Sequence, residues 1–212
     1  MPSSPRIDKG EGFIRTHDLV EELQSDVGQA YETLENDRKS QYLRRCVVRA
    51  IFSFIEACIE TIKVEVRSNI RTELFTPELT DKDKETLGSL HVIGNRKGDK
   101  QLPLDANIKR TFRLAAKVWG LDSYHLITGG EDFADFLSAK DARNRLTHPR
   151  TFYDIQVTDE DMHCHTIAYQ WVLGEFSRLF RARVEDLAKS LSPEDSKHLL
   201  QGAGVGDPTD GA

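Results

Sequence analysis

The run Ala50-Ile51-Phe52-Ser53-Phe54-Ile55-Glu56-Ala57-Cys58-Ile59 is apolar on most sides. It lies inside Lys39 to Leu74, a segment with no Gly or Pro, so the spacing predicts one very long helix over 39–74. A helix that is wet on only a narrow stripe is usually central in a bundle. The charged residues Arg38, Arg45, Arg49, Glu56, Glu60, Lys63 and Arg67 fall in one sector of its wheel. They read as that solvated stripe, with Glu–Lys and Lys–Arg neighbours along it.

Outward from this helix the pattern stays helical. Upstream, Leu19, Leu23, Val27, Tyr31 and Leu34 recur at spacings of four and three, which predicts an acidic first helix over 17–36. Residues 1–16 are polar and read as a tail. Downstream, Pro77 ends the long helix, and Thr80 caps a short one from Asp81 to about Val92, with Asp83 at the third helical position. Gly94 to Lys100 is a basic, turn-rich loop. Asp105 opens a helix with the stripe Ile108, Phe112, Ala115 and Trp119, which Gly120 stops. A second long helix is predicted over 159–191. Its stripe, Met162, Tyr169, Leu173, Phe176, Phe180, Leu187 and Leu191, suits packing on the first long helix or on a second copy of it. A weak short helix follows Pro193, and the Gly-rich end reads as disordered. The expected architecture is all-α: a single helical domain over 17–192 with two long antiparallel helices as its spine, and a flexible tail over 193–212.

Between the two long helices lies Arg143-Asn144-Arg145-Leu146-Thr147-His148-Pro149. At about 100° per residue, the preceding helix, 131–146, has the apolar stripe Phe133, Phe136, Leu137, Ala139 and Leu146. Arg143 falls inside that stripe. A guanidinium there must be paired with a carboxylate, or must line a cleft rather than a closed core. Pro149 biases His148 out of the helical region, so the helix should stop near Thr147. A fixed cation and a titratable imidazole five residues apart at a helix end are suited to a phosphodiester. The bland alternatives are an edge Arg bonded to a neighbouring helix and an ordinary histidine at a helix C-terminus, where the partial negative charge favours it.

Arg143, Asn144 and His148, in the order Arg-Asn-x-x-x-His after a run of helices, resemble the motif of the HEPN superfamily of all-helical nucleic-acid and nucleotide-binding domains. Many of its members are metal-independent RNases of toxin–antitoxin, abortive-infection and RNA-processing systems. The resemblance implies a cytoplasmic endoribonuclease with His148 as acid/base, Arg143 as phosphate clamp and Asn144 orienting them. It also implies a homodimer with the two motifs meeting across the interface, and an antitoxin or other protein partner. Glu56 is a candidate acidic partner, because the family often sets a polar residue on an earlier helix facing the motif. Members paired with nucleotidyltransferase antitoxins usually carry Tyr two positions after the His; here Arg150 stands there. A non-catalytic module that binds RNA, a nucleotide or a protein is the alternative.

Charge bears on both readings. The chain of 212 residues has a net charge of −6, which argues against broad nucleic-acid affinity. The seven acids and no Lys or Arg of 17–37 concentrate that charge, whereas 38–75 carries eight Lys or Arg against four Glu. A local RNA-contacting face is therefore compatible with the composition, with Arg45, Arg49, Arg145 and Arg150 as candidate phosphate contacts. No apolar run approaches the length needed to span a bilayer, and residues 1–9 lack the apolar core of a secretory signal. Cys46, Cys58 and Cys164 form no CxxC pair and read as reduced thiols of a cytoplasmic protein. His163-Cys164-His165 is not a metal motif, because adjacent helical positions diverge while ligands on a helix need i, i+3 or i, i+4 spacing. No metal or cofactor is expected.

Overall fold

The computed structural model describes residues 9–71, 78–88 and 102–202, with side chains from Asp18 to Gln201 within them. Its helices are α1 (Lys9–Glu35), α2 (Gln41–Arg71), α3 (Asp81–Gly88), α4 (Leu104–Val118), α5 (Glu131–Thr147), α6 (Asp159–Lys189) and α7 (Pro193–Gly202). A one-turn 3-10 helix, Phe152–Ile155, joins α5 to α6. No strand occurs among the described residues, so the all-α bundle expected from periodicity is the observed architecture. Helix α1 starts before the expected position, within what reads as a tail, and the short helix expected after Pro193 is α7. The basic loop of 94–100, Pro77 and the end of the chain after Gly202 lie outside the described residues.

Helix α2 is central. Val47, Ile51, Phe54, Ile55, Cys58, Ile59 and Ile62 are fully buried, and α1, α4, α5 and α6 all pack on it. The expected solvated stripe is only partly wet. Arg49 is exposed, but Glu56, Glu60 and Arg67 are half-buried and Lys63 is completely enclosed. Other helices cover this sector as α2 proceeds. Arg143 of α5 reaches Glu56, and Arg67 donates to the Leu87 carbonyl at the end of α3. Lys63 keeps an ion pair with Glu60 at 2.9 Å, while burial pushes its amine below the usual lysine value.

The two long helices run parallel, not antiparallel. Arg44 bonds Asp159, Phe52 meets His165, Phe54 meets Tyr169, and Glu65 and Asn69 meet Arg183, so both chains advance in the same direction. Three helices intervene, and side-chain contacts show α4 antiparallel to α3, α5 to α4 and α6 to α5. An odd number of reversing helices returns α6 in the sense of α2. Helix α1 is antiparallel to α6, with Tyr31 bonded to Thr166 at 2.6 Å.

The expected α1 stripe faces the core from Leu23 to Leu34, with Val20 buried in place of the exposed Leu19, but the α6 stripe is shifted. In α6, Cys164, His165, Ala168, Trp171, Val172, Glu175 and Leu179 form the buried face, whereas Leu187 and Leu191 are exposed. Helix α6 packs on α5 more extensively than on α2. Phe133 and Phe136 of α5 accordingly meet Trp171 at ring distances of 5.2 and 5.1 Å. The α4 stripe is fully buried as expected.

Local signals set the helix ends that hold the motif. Gly130 caps α5 at φ 107°, a backbone region that favours glycine. Thr158 and Asp161 form a reciprocal capping box at the start of α6. Thr80 and Asp83 do the same for α3.

Candidate functional site

Helix α5 ends where Pro149 requires. His148 has left the helical region at φ −126°, ψ 58°, while its N–H still donates to the Asn144 carbonyl at 3.1 Å. One turn earlier, Arg143 projects towards α2. Its Nη2 donates to Glu56 Oε1 at 2.7 Å, and its Nη1 lies 3.4 Å from Asn144 Oδ1. The guanidinium carbon sits 5.7 Å from the Phe52 ring centroid. Arg143 is therefore both paired and placed on a cleft, either of which would satisfy its position in an apolar stripe.

That cleft is an open pocket of about 460 Å³, lined by Arg45, Arg49, Phe52 and Glu56 of α2 and by Arg143, Leu146 and Thr147 of α5, among others. The α2 residues recur at i, i+4, i+7 and i+11, a single helical face. Glu56 thus stands opposite the motif and does not belong to a wet stripe. Three guanidinium groups face the pocket with one carboxylate between them. Arg49 is exposed and forms no ion pair with described residues, and Arg45 Nη1 donates to the Ile155 carbonyl at 3.1 Å.

The remaining motif residues divide. Asn144 contacts Arg143 and not the His148 ring. His148 is exposed, lies just beyond the pocket wall, and its ring has no hydrogen bond among the described residues. Arg150 is exposed, and its backbone N–H donates to Asp154.

Arg145 is a fastener rather than a free cation. Its Nη1 donates to the Gln156 carbonyl at 2.9 Å and, at longer range, to the carbonyls of Tyr153 and Asp154; its Nη2 donates to Asp161 Oδ2 at 2.8 Å. Burial raises the Asp161 carboxyl, but the Thr158 amide and the Arg145 guanidinium outweigh it and hold the group below the usual range. On the other side of Asp161, its carbonyl accepts from or faces Nδ1 of His165. The His165 ring is packed edge-on to Phe52 at 5.6 Å, and burial lowers its pKa. Phe52, beneath Arg143, is the site residue that sequence reasoning passed over. Its position, three residues after Arg49 and four before Glu56, is the signal that would have found it.

Among the described residues no group of three His, Cys, Asp or Glu side chains is placed to hold a metal ion. Cys164 instead bonds Asp135, while His165 is buried and His163 exposed. No described helix is long and apolar enough to cross a membrane. Comparison with family models, with curated proteins and with solved structures returns no match to this chain.

Proposed function

We propose that this protein binds RNA at the Arg143–Glu56 pocket and cleaves it as a metal-independent endoribonuclease of the HEPN type, in a toxin or phage-defence setting. The observation that carries this reading is the arrangement of Arg143. Glu56 and Asn144 fix its planar fork over Phe52, in an open pocket whose facing helix supplies Arg45 and Arg49. Only two of its N–H donors are engaged by these partners, so the others can meet phosphate oxygens.

In the proposed reaction the substrate's 2′-oxygen attacks the adjacent phosphorus and the bond to the 5′-oxygen breaks. A base takes the 2′-hydroxyl proton and an acid returns one to the departing 5′-oxygen. The products are a 2′,3′-cyclic phosphate and a 5′-hydroxyl. Arg143 stabilises the extra charge on the phosphorane, and His148, at the mouth of the same helix end, exchanges the proton. A homodimer that brings two such helix ends together, and an antitoxin or other protein partner, complete this reading.

A non-catalytic RNA-, nucleotide- or protein-binding module is the second reading. The exposed His148 ring, held by no other described side chain, favours it. An assay for cyclic-phosphate ends in EDTA separates the two. Cleavage that persists in EDTA and disappears in His148→Ala supports the enzyme. Binding without cleavage, unchanged by His148→Ala, leaves the module.

A further inference from the structure

Two large aromatic side chains stand in solvent beside the pocket. Phe152 is 70% exposed and Tyr153 is 79% exposed, with their rings in edge-to-face contact at 6.1 Å. Adjacent exposed aromatics are costly to leave wet, and they are enriched where one face of a ring is needed for contact.

The loop that presents them is tightly held. Asp154 Oδ2 accepts from the Arg150 amide at 2.8 Å, from the Thr151 amide at 2.7 Å and from the Thr151 hydroxyl at 3.0 Å. Arg145 grips the carbonyls of residues 153, 154 and 156. Gln41 bonds both backbone groups of Val157, whose carbonyl also accepts from Arg44 at 2.9 Å. The two rings are thus displayed on a fastened turn rather than on a free loop. The same turn touches the pocket. Arg45, which lines the cleft, donates to the carbonyl of Ile155, the last residue of the 3-10 helix that carries both rings.

We infer that Phe152 and Tyr153 form a stacking platform for unpaired bases of a single-stranded RNA whose phosphates lie at Arg143, Arg45 and Arg49. This deepens the RNA reading of the pocket and rests on it. Every base has a π-face, so stacking gives affinity with little sequence preference. A duplex keeps its bases stacked on one another and offers none to the platform, so the surface selects single strands. Charge favours RNA over a second copy of this chain: Arg45, Arg49 and Arg143 face the pocket against Glu56 alone, Arg150 is exposed beside the rings, and the turn's own carboxylate, Asp154, is saturated by its loop.

The test is anisotropy of a labelled single-stranded oligonucleotide with a 2′-O-methyl backbone, which binds without being cleaved, titrated with the full chain at several salt concentrations. Phe152→Ala/Tyr153→Ala is expected to weaken binding roughly 5- to 100-fold, the range for loss of one stacked base, with an unchanged salt slope. Phe152→Trp/Tyr153→Trp should keep near-wild-type affinity. Arg49→Ala should instead flatten the salt slope by about one. A duplex of the same sequence should be insensitive to the aromatic pair. The inference is overturned if the alanine pair binds single strands like wild type while Arg143→Ala loses them; the RNA reading then stands without it. It is equally overturned if the pair abolishes a concentration-dependent dimer and leaves RNA affinity unchanged. Absence of wild-type binding to any RNA overturns the pocket reading and the platform together.

Discussion

Arg143 and Glu56, 87 residues apart in the chain, are joined by a 2.7 Å charge-assisted hydrogen bond that closes α5 onto α2. Their side chains are 34% and 29% exposed, so water screens the pair only in part. A double-mutant cycle of Arg143→Ala and Glu56→Ala should give a coupling of about 1 kcal/mol in urea unfolding. A coupling near zero would show that the pair does not hold in solution. Glu56→Gln removes the one carboxylate of the pocket and slackens the fork. It should tighten RNA binding while slowing cleavage.

Arg143→Lys should lose most activity, because both arms of the guanidinium are used: one on Glu56 and one towards Asn144. A point charge cannot reproduce that planar geometry or the two-pronged contact to phosphate. Cleavage rates of Lys and Ala variants at this position should be alike. Full activity in the Lys variant would place the reaction elsewhere.

Arg145→Ala should act on the loop. Its removal frees the carbonyls of residues 153, 154 and 156 and leaves Asp161 without its guanidinium. The expected cost is about 1–3 kcal/mol, read from thermal melting. Faster proteolytic cleavage between residues 150 and 157 should accompany it. Single-strand binding should fall as well, because the aromatic pair is no longer presented.

His165 sets a pH dependence of stability. Burial lowers its pKa in the fold, whereas the unfolded ring takes up a proton at its ordinary value of about 6.5. The stabilisation of the neutral ring is complete above that value and is lost as pH falls through it towards the folded pKa, because the unfolded state then binds more protons. Urea unfolding at pH 7.5, 6.5 and 5.5 should show stability declining by at most about 1.4 kcal/mol per pH unit from this group. The His165→Leu variant should give a flatter profile. An equal slope in both proteins would assign the titration to other residues.

The helices were legible because their signals are local. Apolar spacing marked α2, α4 and α5; Pro149 marked the end of the motif helix; Thr80 and Asp83 announced the start of α3. The α4 stripe, Ile108, Phe112, Ala115 and Trp119, needed no correction. The α6 stripe did. Several residues around that helix are apolar, and which of them face inwards depends on α5 lying beside it. The same limit applies to Arg145, which looks like any other arginine of the motif until the loop that it fastens is in place.

The sequence by itself determined an all-α chain, the central place of α2 and the end of α5 at His148. These follow from residue type and period alone: 3.6-residue spacing, caps and the proline that stops a helix. Only the tertiary structure decided the pairing of Glu56 with Arg143, the parallel course of α2 and α6, and the placement of His148 outside the pocket wall. A charged residue on a helix face is compatible with solvent or with a partner from another helix. The wheel cannot distinguish the two, because the choice depends on which distant segment packs there.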